Sequence, residues 1–109
     1  MNNLQKINDN AAWIPADERL PDEKPGRDPK EYIVACRRAN GKIYVFAAHY
    51  LNEYRLLSSD DDCPEDGIPT TGWFYEMLDD GEWDTAWHSV LNEGDCITHW
   101  MPLPPAPNV

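Results

Sequence analysis

The chain has 109 residues, 41% of them apolar, and carries 20 Asp and Glu against 9 Lys and Arg, a formal charge of −11. That length accommodates one small core rather than two, and no apolar run approaches the roughly 18 residues that a membrane-spanning helix needs. The acidic balance argues against direct contact with DNA, RNA or an anionic membrane, and three scattered cysteines without a C-x-x-C pair argue against a disulfide framework.

Residues 1–12 read as a polar lead-in without the apolar centre of a signal peptide, so the cytoplasm of the cell that makes the protein is the expected location. Order is expected from Trp13. In the segment Trp13 to Pro21, Pro15 opens a short turn and Pro21 stops any helix. Asp22 to Lys30 holds Pro25, Gly26 and Pro29 and reads as a loop. Glu31 to Arg38 is rich in Tyr, Ile and Val and predicts a strand. Asn40-Gly41 then suits a type I′ turn, in which both central residues take positive φ. Lys42 to Ala48 is the returning strand, with Ile43 and Val45 on one face and Tyr44 and Phe46 on the other. Two apolar faces predict a central strand.

Residues 47–57 admit two readings. Ala47, Tyr50, Leu51, Tyr54 and Leu57 recur at helical spacing, and a strand continuing through Tyr50 fits equally well. Ser58 to Thr71 reads as a loop, Gly72 to Leu78 as a strand, and Asp79-Asp80-Gly81 as a tight turn. Glu82 to His88 is the partner strand, with Trp83, Thr85 and Trp87 alternating onto one face. Ser89 to Asp95 is a further loop. Cys96 to Met101 is the last strand, ended by Pro102, Pro104, Pro105 and Pro107. The expected fold is therefore mainly β, or a small α+β fold. It has four to six short strands in an antiparallel sheet or small partly open barrel, and one short helix could cover a face. Residues 13–105 form the single domain, with an acidic insertion at about 51–95 and a tail at 106–109.

Metal, calcium and catalytic readings are all weak. Cys96 and His99 have C-x-x-H spacing, and His49, His88, Cys63 and Cys36 could add ligands, but zinc needs about four donors converging. On a regular strand residues three apart face opposite sides, so Cys96 and His99 are expected to diverge. Asp60, Asp61, Asp62, Glu65 and Asp66 do not follow the alternation of an EF-hand loop and read better as a solvated acidic loop. No nucleophile elbow, zinc-protease helix, P-loop or dinucleotide fingerprint occurs. No catalytic residue, cofactor or metal is expected, and Cys36 reads as a small core residue.

Charge is the most informative quantity. Residues 1–49 contain seven acids and eight bases, whereas residues 50–109 contain thirteen acids and one base, Arg55. The carboxylates Asp60, Asp61, Asp62, Glu65, Asp66, Asp79, Asp80, Glu82 and Asp84 form a candidate surface for a basic partner, which would imitate the phosphates of DNA if they make one band. A solvated acidic face that only maintains solubility is the plainer reading.

The two ends of the ordered chain resemble a known family. Trp13-Ile14-Pro15 with Glu18-Arg19-Leu20-Pro21 is similar to the opening W-I-x-x-x-x-R-L-P of the domain of unknown function 551 family. Thr98-His99-Trp100-Met101-Pro102-Leu103-Pro104 is similar to its closing T-H-W-M-P-L-P. Tyr32 to Val34 and Val45 to Tyr50 resemble two of its strands. The resemblance covers about residues 13–105, and residues 51–95 are longer and more acidic than a typical member. It implies an origin in tailed phages and prophages of bacteria, hence a cytoplasmic location in the bacterial host cell, with no known activity and no catalytic residues to carry over.

The expectation is thus a non-enzymatic phage or prophage accessory protein that binds, and inhibits, a host protein with a basic surface, such as a nuclease, a defence complex or a DNA-binding protein. A metal-binding or small enzymatic domain and a structural homo-oligomeric module are the alternatives. The motif residues Trp13, Pro15, Leu20, Pro21, Thr98, His99, Trp100, Met101 and Pro102 are expected to be structural. Trp13 and Trp100 should pack near each other across the sheet. Trp100 and Ile97 lie three apart, so the last strand should be covered on both faces or bent.

Overall fold

A computed structural model describes residues 13–57, 63–78, 85–104 and 107. Six strands form one sheet: β1 (Ile14–Pro15), β2 (Lys30–Arg37), β3 (Ile43–Leu56), β4 (Ile68–Leu78), β5 (Thr85–Ser89) and β6 (Cys96–Pro102). Their order is β1-β6-β2-β3-β4-β5, with antiparallel pairing at β1–β6, β2–β6, β3–β4 and β4–β5. The first and last strands in that order are not neighbours, so the sheet is open rather than a closed barrel. Among the described residues there is no helix, and hence none long and apolar enough to cross a membrane.

The chain divides into two compact units. The first contains Met1–Leu20, Tyr32–Ala47 and Asn92–Val109, and the second contains Pro21–Glu31 and Ala48–Leu91. β3 contributes its residues 43–47 to the first unit and 48–56 to the second.

In the first unit β2 and β6 run antiparallel, with Tyr32 opposite Pro102, Val34 opposite Trp100 and Ala35 opposite His99. The next pair is Cys36 with Ile97, so one step along β2 spans two along β6. Thr98 is therefore the extra residue of a β-bulge. This bulge resolves the spacing of Trp100 and Ile97. Alternation along β2 puts Val34 and Cys36 on one face, and their partners Trp100 and Ile97 follow them there. Tyr32, Val34, Cys36 and Trp100 are all buried and form this unit's core.

The hairpin between β2 and β3 differs from the expected two-residue turn. Arg38 N–H donates to the carbonyl of Lys42 at 2.9 Å, and Gly41 N–H donates to that of Arg38 at 2.9 Å. Only Gly41 of the turn has positive φ, at 85°. This is the three-residue loop in which a left-handed glycine follows the turn, so Asn40 needs no left-handed backbone. Its side chain instead accepts the N–H of Lys42 at 2.9 Å. β3 is interior in strand order, yet Ile43, Tyr44 and Val45 are exposed on both faces. Their apolar character does not report burial.

In the second unit the reading of residues 47–57 resolves in favour of the strand. His49 pairs with Phe74, Leu51 with Gly72 and Tyr54 with Thr70. Between Leu51 and Tyr54 β3 advances three residues while β4 advances two, so this strand too is bulged, and Glu53 takes φ 51°. The extra residue returns Tyr54 to the face of His49 and Leu51. A bulged strand thereby imitates a helical period. Trp87 meets His49 and Tyr54 edge-on, with ring centroids at 5.1 and 6.0 Å. Gly72, between those two pairs in register, offers no side chain on that face. On the other face Tyr50 and Trp73 are paired, buried, and 4.9 Å apart edge-on.

β4 begins at Ile68, so residues 68–71 are strand rather than loop. Their pairing with Leu56, Arg55 and Tyr54 satisfies backbone groups that a loop would leave to water. Residues 82–84, expected at the start of β5, and Trp83 among them, lie outside the described residues.

Candidate functional site

The closing motif lies on β6 and buries Trp100. Trp100 is 5% exposed, meets the Tyr32 ring edge-on at 5.3 Å, and donates its indole N–H to the Arg19 carbonyl at 2.9 Å. That bond ties the closing motif to the opening one. Ile14 lies opposite Trp100 and Pro15 opposite His99, so the two motifs form adjacent strands. Pro15 also accepts the N–H groups of Glu18 and Arg19 in the turn that it opens, and Pro21 is buried.

Trp13 and Trp100 do not pack together. Trp13 meets the His99 ring edge-on at 6.4 Å, whereas Trp100 packs on Tyr32. His99 and Trp100 are consecutive on β6 and face opposite sides, so the two tryptophans serve opposite faces of one strand pair. Leu20 is 46% exposed, and the neighbouring Pro21 is buried. Thr98 donates its hydroxyl to the Ala35 carbonyl at 3.3 Å and lies 3.0 Å from His99 Nδ1. Met101 is half-buried opposite Ile33, and Pro102 is exposed.

The Thr98 bulge also overturns the expectation that Cys96 and His99 diverge. Their partners Arg37 and Ala35 are two apart on β2, so Cys96 and His99 share a face. Cys96 Sγ lies 3.3 Å from an Arg37 guanidinium nitrogen. Among the described residues, no three His, Cys, Asp or Glu side chains are grouped to hold a metal ion. Cys36 is buried, and that burial raises its thiol pKa.

On this same face a depression of about 620 Å³ is lined by Trp13, Pro15, Ala35, Arg37, Ile43, Val45, Thr98 and His99. An adjoining one shares Pro15, Arg37, Thr98 and His99 and adds Asp17, Glu18, Cys96 and Ile97. Most of the first depression's lining is apolar, Arg37 lines both, and Asp17 and Glu18 line the second.

The acidic surface is only partly described. Glu65 and Asp66 are exposed, and Asp66 lies 3.4 Å from the Arg55 guanidinium. Both partners are solvated, so that pair contributes little. Asp60, Asp61, Asp62, Asp79, Asp80, Glu82 and Asp84 lie outside the described residues. The charge nevertheless divides by unit. The first unit has five acids and five bases, and the second has fifteen acids and four bases. The entire −11 therefore belongs to the second unit.

One polar cluster escaped the sequence reading. Asp95 accepts Arg38 Nη1–H and Asn92 N–H through one oxygen, and Ala39 N–H through the other, each at 2.8 Å. Its side chain is 3% exposed. The Asn92 N–H and the Arg38 guanidinium hold its carboxyl below the usual range, and the bond to Asp95 raises Arg38 in turn. Asn92-Glu93-Gly94-Asp95 announces a turn, but nothing local names an arginine 57 residues away as the partner.

A family model described as protein of unknown function (DUF551) matches residues 12–108. No curated protein and no solved structure matches the chain. The matched span holds both terminal motifs, and the Trp100–Arg19 hydrogen bond joins them. The chain therefore belongs to the family of proteins of unknown function DUF551.

Proposed function

We propose that this is a non-enzymatic accessory protein of phage or prophage origin whose acidic second unit binds, and inhibits, a host protein with a basic surface. The observation that carries the reading is the division of charge, neutral in the first unit and −11 in the second. A concentrated negative field raises encounter rates with a basic partner and repels nucleic acid. A partner that normally takes DNA would then meet carboxylates where it takes phosphates.

Affinity capture from a bacterial lysate, at low and at high salt, tests the proposal. The control is a neutralised variant with Asp60→Asn, Asp61→Asn, Asp62→Asn, Glu65→Gln and Asp66→Asn. The expected result is a DNA-binding protein that is retained at low salt, released at high salt or by competing duplex DNA, and poorly captured by the variant. No partner, or one held regardless of salt and of the five substitutions, contradicts it.

A further inference from the structure

We propose that Asn40 is a modification site, whose side-chain amide is converted to a carboxylate through a succinimide formed with the Gly41 nitrogen. Asn40-Gly41 is the only Asn-Gly pair in the chain. It lies in the loop between β2 and β3, where both residues are exposed. The other described asparagines, Asn52 and Asn92, each precede a glutamate. Asn52 is also half-buried, and its side-chain amide is held by the Glu23 carbonyl at 2.6 Å.

The loop geometry favours ring closure at this residue. Asn40 Oδ1 accepts the Lys42 N–H at 2.9 Å, so the side chain folds along the backbone that follows it, past Gly41, instead of standing out in water. The same hydrogen bond polarises the side-chain carbonyl and is in place to stabilise the oxyanion that forms when a nitrogen adds to Cγ. Gly41 has no Cβ to hinder that approach, and nothing stands within 4 Å of where one would lie. The reaction balances with solvent alone. Hydroxide takes the Gly41 amide proton, the nitrogen bonds to Asn40 Cγ, and Nδ2 takes a proton from water and leaves as ammonia. Water then opens the ring at one of its two carbonyls, giving aspartate or isoaspartate. The Gly41 N–H otherwise donates to the Arg38 carbonyl at 2.9 Å, so each event begins with the opening of that exposed turn bond. The product carries one further negative charge, on the unit whose acids and bases are equal in number. The isoaspartyl form also lengthens the loop by one backbone carbon. The modification does not rest on the proposed basic partner, which meets the other unit.

Incubation of the purified full chain in mildly alkaline buffer tests the proposal, read by ion exchange and by peptide mapping in a mass spectrometer, with thermal melts as a folding control. An acidic form should accumulate, faster at higher pH, and its new carboxylate should map to residue 40, partly as isoaspartate. Asn40→Gln, whose longer side chain closes such a ring far more slowly, should lose that form. Asn40→Asp should elute with the aspartyl product and melt like the parent, because a carboxylate still accepts the Lys42 N–H. The absence of an acidic form overturns the proposal. So does one that maps to another asparagine, or conversion of Asn40 only after the chain is unfolded in urea.

Discussion

Trp100 reaches back across 81 residues to give its indole N–H to the carbonyl of Arg19, at 2.9 Å. The opening and closing motifs of the chain thus form one structural joint, made by adjacent strands and sealed by a buried ring.

Replacing Trp100 by Ala should therefore cost about 3–5 kcal/mol, the range for truncating a buried tryptophan. Small domains have only about 5–15 kcal/mol in total, so the variant should melt far lower or fail to fold. Trp100→Phe keeps a ring against Tyr32 but leaves the Arg19 carbonyl without this donor, and should lose less. Denaturant melts of both variants check the order. If Trp100→Ala melts like the parent but loses a partner, the ring belongs to a binding surface instead.

Asp95 should make stability depend on acid pH. Its carboxyl pKa is lower in the folded chain than in the unfolded one, chiefly through the Asn92 N–H and the Arg38 guanidinium. Its contribution is present above the ordinary carboxylate value of about 3.9 and is lost as pH falls through the lower folded value. Asp95→Asn should destabilise the fold at neutral pH and flatten its loss of stability below about pH 4. Urea melts at neutral and acid pH measure both effects. Equal acid sensitivity in parent and variant would remove Asp95 from the account.

Gly94 supports the same cluster. Its φ is 87°, and a Cβ there would stand 2.9 Å from the Cβ of Ala39. Gly94→Ala should cost about 1–2 kcal/mol for the left-handed backbone alone, plus the contact. Adding Ala39→Gly should recover the contact but not the backbone cost, so the double variant should melt between Gly94→Ala and the parent.

Sequence patterns revealed the strands better than their faces. β2 and β6 were legible because β-branched and aromatic runs end at turn residues or prolines. The two bulges were not legible, because each is set by how many residues a distant partner advances. The bulge near Glu53 makes Tyr50, Leu51 and Tyr54 look helical, and the one at Thr98 brings Cys96 onto the face of His99. The Asn40-Gly41 dipeptide located the hairpin but not its loop length, which follows from the bond between Arg38 and Lys42. Arg38 and Asp95 were ordinary charges until the fold brought them together. The acidic excess of residues 50–109 was legible as a charge total, because it is a matter of composition and needs no fold.

Asp61→Asn with Asp62→Asn should leave the melting temperature unchanged or slightly higher, since removing like charges relieves repulsion. The same pair of changes should weaken a basic partner. A large drop in melting temperature would mean that these carboxylates hold the fold together.

Recognition of a basic partner by the acidic second unit, as proposed, should be electrostatic. Its most direct test is the salt dependence of affinity for the captured partner, measured by titration calorimetry with the parent and the five-substitution neutralised variant. The parent's affinity should fall steeply as salt rises, and the variant should bind more weakly with a shallower slope. Equal affinities with the same slope for both proteins would contradict it.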